Sequence, residues 1–436
     1  MFQVLKNSWR VTEIRKKILY TIMIIAIFRI GSIIPVPFID IAALKAGMQS
    51  VVSGEGIGSF LSYINILTGG GLEYGAIFAM SVTPYINASI IMQLLSVAIP
   101  ALERISKEGE EGRKKIAKIT RFVTVILGLI QGTAYFIYLH ASGYVDRGYN
   151  LAEDIFAGVV IVLCFTAGSA IMMWLGERID EKGIGNGISL ILFANIVSTG
   201  PTLAANMFSL LTGSFSVGNV LGVLAAIVMM LVIITLVVFF SNSERRLPVQ
   251  YAKRQVGRKM YGGANTHLPI KIMMGGVMPV IFASAIVSLP STLALIIGGG
   301  FQTWVQNWFS SGSVVYVLVM FVLIIAFAYF YIAISFNTVE VANNLKNNGG
   351  TILGYRPGQP TAQYIQKVVN RITLIGALFL SFMSIFPILM SWTNNAALSM
   401  LVYGGTSVII AVDVALQTTR DIESETTMRH YKGFLE

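Results

Sequence analysis

Six long stretches of this chain carry no charged residue: 75–102, 122–145, 155–176, 183–243, 272–339 and 372–412. Each is at or above the ~20 residues that a helix needs to cross a hydrocarbon core of ~30 Å. A soluble core cannot absorb so many apolar runs of this length. The overall balance agrees, with 55% of the 436 residues apolar and 12% charged, and a mean hydropathy of +0.73.

The three longest runs hold two spans each, because turn signals divide them. Ser198-Thr199-Gly200-Pro201 through Thr212-Gly213-Ser214 breaks the fourth run. Gly298-Gly299-Gly300 and the polar, Trp-rich residues up to Gly312 break the fifth, and Thr393-Asn394-Asn395 breaks the sixth. With Ile18–Ile34, which tolerates only Arg29, the expectation is ten spans. They lie near 18–34, 73–97, 119–140, 153–176, 186–209, 216–240, 271–295, 313–336, 370–391 and 396–417. On this division 28 of the 31 Lys and Arg residues fall on the side of the N-terminus. The positive-inside rule then puts both termini in the cytoplasm. The net charge of +10 is therefore mostly topology, and it is not read as a DNA-binding surface.

Several function classes are disfavoured. Only Arg29 and Asp413 lie clearly within spans, each near one end, so the buried acidic network of an ion-coupled pump is missing. No phosphate-cradling glycine motif, His pair or Cys cluster is present, so no nucleotide site, cofactor or metal is expected, and an enzyme is disfavoured. Cys164 is the single cysteine and lies in a span, as ordinary packing. Ile18–Ile34 runs into Pro35-Val36-Pro37 with no small-residue cleavage pattern, so no cleavable signal is expected. Work done by such a chain has to be powered from outside.

The charge is concentrated in cytoplasmic loops, two of them long: 242–270 and 337–369. The first carries Arg245, Arg246, Lys253, Arg254, Arg258 and Lys259 among alternating apolar residues, which suggests a hairpin projecting from the bilayer as a docking surface. A plain positive-inside tether would need far fewer residues. The second carries Gly354-Tyr355-Arg356-Pro357-Gly358-Gln359-Pro360, a stiff turn that displays Arg356. Arginine's planar fork suits a carboxylate or phosphate on a partner, with lipid phosphate as the alternative.

One segment fits no span. In GIGSFLSYINILTGGG, residues 56–71, only ten residues separate Gly58 from Gly69. As a helix they reach about 15 Å, half the hydrocarbon thickness, and they are too polar to face lipid.

Six motifs in order resemble the SecY family of protein-conducting channels over essentially the whole chain. They are Ile34-Pro35-Val36-Pro37, Val82-Thr83-Pro84-Tyr85-Ile86-Asn87-Ala88-Ser89-Ile90, Gly183-Ile184-Gly185-Asn186-Gly187-Ile188-Ser189, Arg245-Arg246-Leu247-Pro248-Val249-Gln250-Tyr251-Ala252, Gly354-Tyr355-Arg356-Pro357-Gly358 and Gly404-Gly405-Thr406-Ser407. The resemblance implies an all-α polytopic membrane protein whose ten transmembrane helices form two pseudo-symmetric inverted halves of five. The halves would be 1–210, with spans 1–5 and a short plug half-helix at about 57–68, and 211–436, with spans 6–10, both long loops and the C-terminal tail. It further implies a ring of aliphatic side chains at the pore waist, mapping to Ile86, Ile90, Leu192, Ile196, Ile281 and Ile410. The i, i+4 spacing of the first two pairs puts each pair on one helix face. Apolar rings seal by dewetting and bind no sliding chain.

The family likeness makes the glycine-hung segment the plug, with Phe60, Leu61, Ser62, Tyr63, Ile64 and Asn65 at its centre. It makes the second and seventh spans a lateral gate, with Asn87, Ser89 and Gln93 as polar groups there; ordinary interhelical hydrogen bonding is the other reading of those three. Implied partners are SecE-like and SecG-like small membrane subunits, the motor ATPase SecA, the ribosome, signal sequences and nascent chains, and membrane lipid. The implied site is the bacterial plasma membrane. The implied function is passage of unfolded secretory chains and lateral release of membrane helices; a ten-span solute permease is the alternative, and a non-conducting scaffold a third reading. Asp413 departs from the small or apolar residue expected six positions after Gly-Gly-Thr-Ser.

Overall fold

The structure is a computed structural model and describes residues 9, 11–51, 65, 68–145, 151–213, 217–251, 254–256, 259–261, 265–310, 313–391 and 396–432. The expectations for Phe60, Leu61, Ser62, Tyr63, Ile64, Lys253 and Arg258 lie outside the described residues.

Every expected span holds a helix, because a segment surrounded by hydrocarbon must pair its backbone groups within itself. In chain order the helices are α1 (Thr12–Gly31), α2 (Ile41–Val51), α3 (Thr83–Ala98), α4 (Pro100–Lys107), α5 (Glu110–Ala141), α6 (Leu151–Lys182), α7 (Gly187–Gly213) and α8 (Val217–Asn242). They continue with α9 (Met278–Ile297), α10 (Gly299–Phe309), α11 (Val314–Ser335), α12 (Thr338–Asn347), α13 (Gln359–Ser391) and α14 (Ala396–Lys432). Among the described residues seven helices are long and apolar enough to cross a membrane, or eight if the bent pair α3–α4 is one span. Three of the spans contain an internal proline, Pro201 in α7, Pro290 in α9 and Pro387 in α13. A bundle tolerates these because neighbouring helices and hydroxyls take up the freed carbonyls.

The second span differs from expectation. Residues 73–82 are turns, and the helix starts only at Thr83. Gly69, Gly70 and Gly75 all have positive φ, as does Ser81, and Pro84 stands in the first turn of α3, a position that suits its missing N–H. The turn segment is pinned from outside. Val36 N–H donates to Gly75 O at 2.9 Å, Ile77 N–H to Ile34 O at 3.0 Å, and the buried Tyr135 hydroxyl to Leu72 O at 2.9 Å. At the other end, Ile99 before Pro100 takes extended backbone, and the chain bends by 101° into the exposed α4.

Helices of the first five spans touch those of the last five along two seams. α9 packs on α3 and α5, while α14 packs on α7 and α1. The largest buried cluster lies between the seams and draws residues from both sides, including Phe28, Ile90, Ile191, Ile281, Met320 and Ile410.

Outside the bundle the two long loops become one body. β1 (Glu244–Tyr251) pairs antiparallel with β4 (Asn265–Lys271) as the sides of the expected hairpin, and β2 (Arg254–Val256) pairs with β3 (Lys259–Tyr261) towards its tip. From the second loop, α12 and β5 (Gly350–Ile352) were not foreseen, and β5 joins the free edge of β1. Pro248 lies on this central strand, yet β5 pairs only with Val249, Gln250 and Tyr251, so the missing N–H breaks no ladder on that side. Leu247, Val249, Ile270 and Ile352 bury one face of the sheet against Ile332 of α11 and Ile365 and Val369 of α13. Leu247 is 2% exposed. Leu247→Ala should loosen this platform by about 2–5 kcal/mol. The expected result is faster protease cleavage within 242–270 with the thermal unfolding of the membrane helices little changed.

Candidate functional site

All six aliphatic residues expected at the waist meet in the central cluster. Ile90, Leu192, Ile196, Ile281 and Ile410 are buried, and Ile86 is partly buried and packs against them. Four helices, α3, α7, α9 and α14, supply them, two from each side of the seams. The positions follow from the local sequence. Pro84 and Pro279 start α3 and α9, so Ile86 and Ile281 stand in the first turn of each, and Gly187 starts α7 one turn before Leu192. The cluster offers no ion or peptide group a partner, so it can close but not bind.

Polar groups border this cluster. Asn195, fully buried on α7 beside Ile196, donates Nδ2 to the Ser81 hydroxyl at 3.0 Å. The sequence reading passed over Asn195, although an Asn within a long uncharged run is itself a signal, since its amide must find partners. On α3, Asn87 is buried and its Nδ2 makes no hydrogen bond among the described residues. Gln93, half-buried one turn after Ser89, points its Nε2 to the Ser89 hydroxyl at 3.4 Å.

Of the plug residues, Asn65 is described. Its carbonyl accepts the Gly70 N–H at 2.8 Å and the Thr68 hydroxyl at 3.1 Å, and its Oδ1 accepts the Glu73 N–H at 3.1 Å. Four residues further on, the Gly69 carbonyl accepts Nη1 of Arg29 at 3.1 Å. The one basic residue inside the first span thus holds the glycine hinge, a role the sequence left unassigned. Gly69 sits at φ +67, and a Cβ there would lie 2.7 Å from Arg29 Nη1 and 2.8 Å from both Asn195 Oδ1 and Ser198 Oγ.

On the platform formed by the two long loops Arg245, Arg246 and Arg356 are exposed, with Arg246 Nε paired to Glu244 Oε1 at 2.8 Å. Arg254 and Lys259 lie in β2 and β3 at the hairpin's far end. Arg356 follows Gly354, at φ +86, and its loop is braced by the stacked rings of Tyr355 and Tyr364, 4.1 Å apart, and by the Thr361 hydroxyl donating to Arg356 O at 2.8 Å. No group of His, Cys, Asp or Glu suited to a metal ion occurs among the described residues.

Comparison with known proteins decides the family. The SecY family model matches residues 76–419. The chain belongs to the SecY family. The protein translocase subunit SecY of Streptomyces galbus is 40% identical to it over 446 residues, covering 100% of both chains. Its fold is that of a solved SecY whose plug domain stabilises the closed state of the translocation channel, with a TM-score of 0.67 at 17% identity over 94% of this chain and 92% of that one. Sec61 in the canine ribosome–channel complex of the endoplasmic reticulum matches with a TM-score of 0.65 at 17% identity and the same coverage. This SecY-family chain is accordingly a multi-pass membrane protein and a protein-conducting channel subunit, and the solute permease finds no support.

The hinge makes a differential prediction. Gly70 is also at positive φ, +86, but the nearest atom to a Cβ there is Tyr74 Cε2 at 4.0 Å. Gly70→Ala should cost only the backbone strain, about 1–2 kcal/mol. Gly69→Ala should cost roughly 1–3 kcal/mol more, because Arg29, Asn195 and Ser198 must also give way. Thermal unfolding of the two purified variants checks the order.

Proposed function

We propose that this channel subunit conducts unfolded chains through a waist formed by Ile86, Ile90, Leu192, Ile196, Ile281 and Ile410. The observation that carries this reading is their convergence in one buried cluster from four helices on both sides of the seams. A narrow aliphatic ring excludes water and ions at rest, yet offers a passing polypeptide nothing to bind. Residues 1–210 and 211–436 act as two halves that part around it. The segment from Phe60 to Asn65 stops the pore from the external side, with its return fixed at Gly69.

The seam where α9 meets α3 serves as the lateral gate. Asn87, Ser89 and Gln93 lie on α3, and the unsatisfied Asn87 amide gains a partner when water or a polar chain enters. The chain acts in the bacterial plasma membrane with both termini in the cytoplasm. Its platform then faces the cytoplasm, where Arg245, Arg246, Lys253, Arg254, Arg258, Lys259 and Arg356 receive the ribosome or a SecA motor, the external source of energy. Small SecE-like and SecG-like membrane subunits complete the complex, and lipid and signal sequences meet it at the gate. The canine Sec61 complex, a fold relative with a ribosome attached, supports the ribosome as a partner.

Two measurements test the proposal. With the assembled complex in proteoliposomes, SecA, ATP and a signal-bearing preprotein should yield protease-protected product, and Arg356→Glu should suppress it at least about tenfold, as expected when a charge pair at a docking surface turns repulsive. Normal translocation by that variant would remove Arg356 from the docking role. Ile281→Asn should hydrate the waist and raise the resting ion leak. An unchanged leak and unchanged signal-sequence stringency would favour the non-conducting scaffold.

A further inference from the structure

Asp413 interrupts the last uncharged run and is 5% exposed on α14. A carboxylate in such a place needs donors, and it has them from two other helices. The hydroxyl of Ser241, itself 3% exposed in the last turn of α8, donates to Asp413 Oδ1 at 2.9 Å. The carboxylate also lies at the start of α9, where the backbone N–H of Val277 favours its charge. Val277 is the cap residue of α9, and its own side chain supplies no capping bond. The first N–H groups of a helix have no partner within it, and the positive end of the helix favours an anion. Asp413 therefore caps α9 from across the bundle.

The approach is built in on both sides. Gly276 precedes the cap at φ +54, and a Cβ there would lie 2.9 Å from Asp413 Oδ2. Arg420, seven residues further along α14, donates Nη2 to Ser241 O at 2.7 Å and to Asn242 Oδ1 at 2.6 Å, which ties the end of α8 to α14. The start of α9 is thereby held to a pair of helices that already pack closely on each other. Four residues after Val277 comes Ile281, and three residues before Asp413 comes Ile410. Both belong to the waist cluster.

We propose that Asp413 is a positioning residue of the channel: a cap supplied in trans that holds the start of α9 against α8 and α14, and so keeps Ile281 in register with Ile410 in the closed state. The inference rests on the waist reading above. Loss of the carboxylate leaves the Val277 N–H and the Ser241 hydroxyl buried without their acceptor, and α9 is freed to move at the end that carries Ile281.

The test uses the assembled complex in planar bilayers, with resting ion conductance measured per channel, and in cells, with export of a preprotein bearing a defective signal sequence. Asp413→Asn keeps one acceptor but turns an NH2 group toward donors. It should raise resting conductance and defective-signal export about tenfold, the population change set by one charge-assisted hydrogen bond. Asp413→Glu, which keeps the charge, should recover part of the seal. Should Asp413→Asn not assemble, Ser241→Ala, which removes one donor and leaves the cap, should shift both readouts in the same direction by a smaller factor. Lower thermal stability with unchanged conductance per assembled channel would show a merely structural role and overturn the proposal. If Ile281→Asn leaks while Asp413→Asn and Ser241→Ala do not, the cap is refuted and the waist stands. If none leaks, the waist reading fails and the cap falls with it.

Discussion

Everything in this molecule follows from the absence of water along its long uncharged runs. A backbone amide there has no solvent partner, and leaving one unpaired costs several kcal/mol. Helices satisfy the rule within each segment, which is why each expected span is one. The same rule decides where irregular backbone is admitted. Residues 73–82 are turns at the depth expected of a span. They persist because Val36, Ile34 and Asn195 hydrogen-bond to them, and Tyr135 to Leu72 just before them, so the non-helical stretch is enclosed by protein.

A passage for polypeptide must break this rule on demand. Chain in transit brings its own polar backbone into the bundle, and a polar lining would hold it by hydrogen bonds. The aliphatic cluster avoids that trap. Three of the four helices that supply its members start at a proline or a glycine, so the position of their contacts depends on how the helix ends are fixed. This explains why the polar side chains near the waist work on backbone at helix ends and hinges: Arg29 on Gly69, and Asp413 on Val277. Dispersion contacts close the ring, and charge-assisted hydrogen bonds set where its parts stand.

How much of this was legible in the residues depends on the physics involved. Hydropathy runs report on the solvent around each segment, and a helix lies at each place they mark, seven or eight of these being long and apolar enough to cross a membrane among the described residues. The aliphatic ring was reachable only through motif register, because an isoleucine facing a pore reads the same as one facing lipid. The start of α3 was misplaced by ten residues, since Gly69 to Ser81 are as apolar as a span while their φ values forbid one. The alternation Arg246-Leu247-Pro248-Val249 pointed to the hairpin, yet β5 arrives from a hundred residues away, and pairing at that separation leaves no local trace. Arg29 and Asp413 stood out as charges inside spans. Their partners, a glycine carbonyl and a backbone N–H, are invisible in any side-chain pattern.

In the proposed function an external motor or ribosome supplies the energy, so force has to reach the waist through contacts. The sheet formed by β4, β1 and β5 is seated on the end of α11 and the start of α13 through Ile332, Ile365 and Val369. α11 packs along α9, and α9 carries Ile281 and closes the seam with α3 and α5. A push on the platform is therefore applied to the helix that borders both the waist and the gate. Residues in that path are packed at interior density, where a displacement is passed on and not absorbed. At this same platform-side end Asp413 ties α9 to α8 and α14, and α8 runs directly into β1. The start of α9, which carries Ile281, is therefore the point at which the platform, α8 and α14 converge.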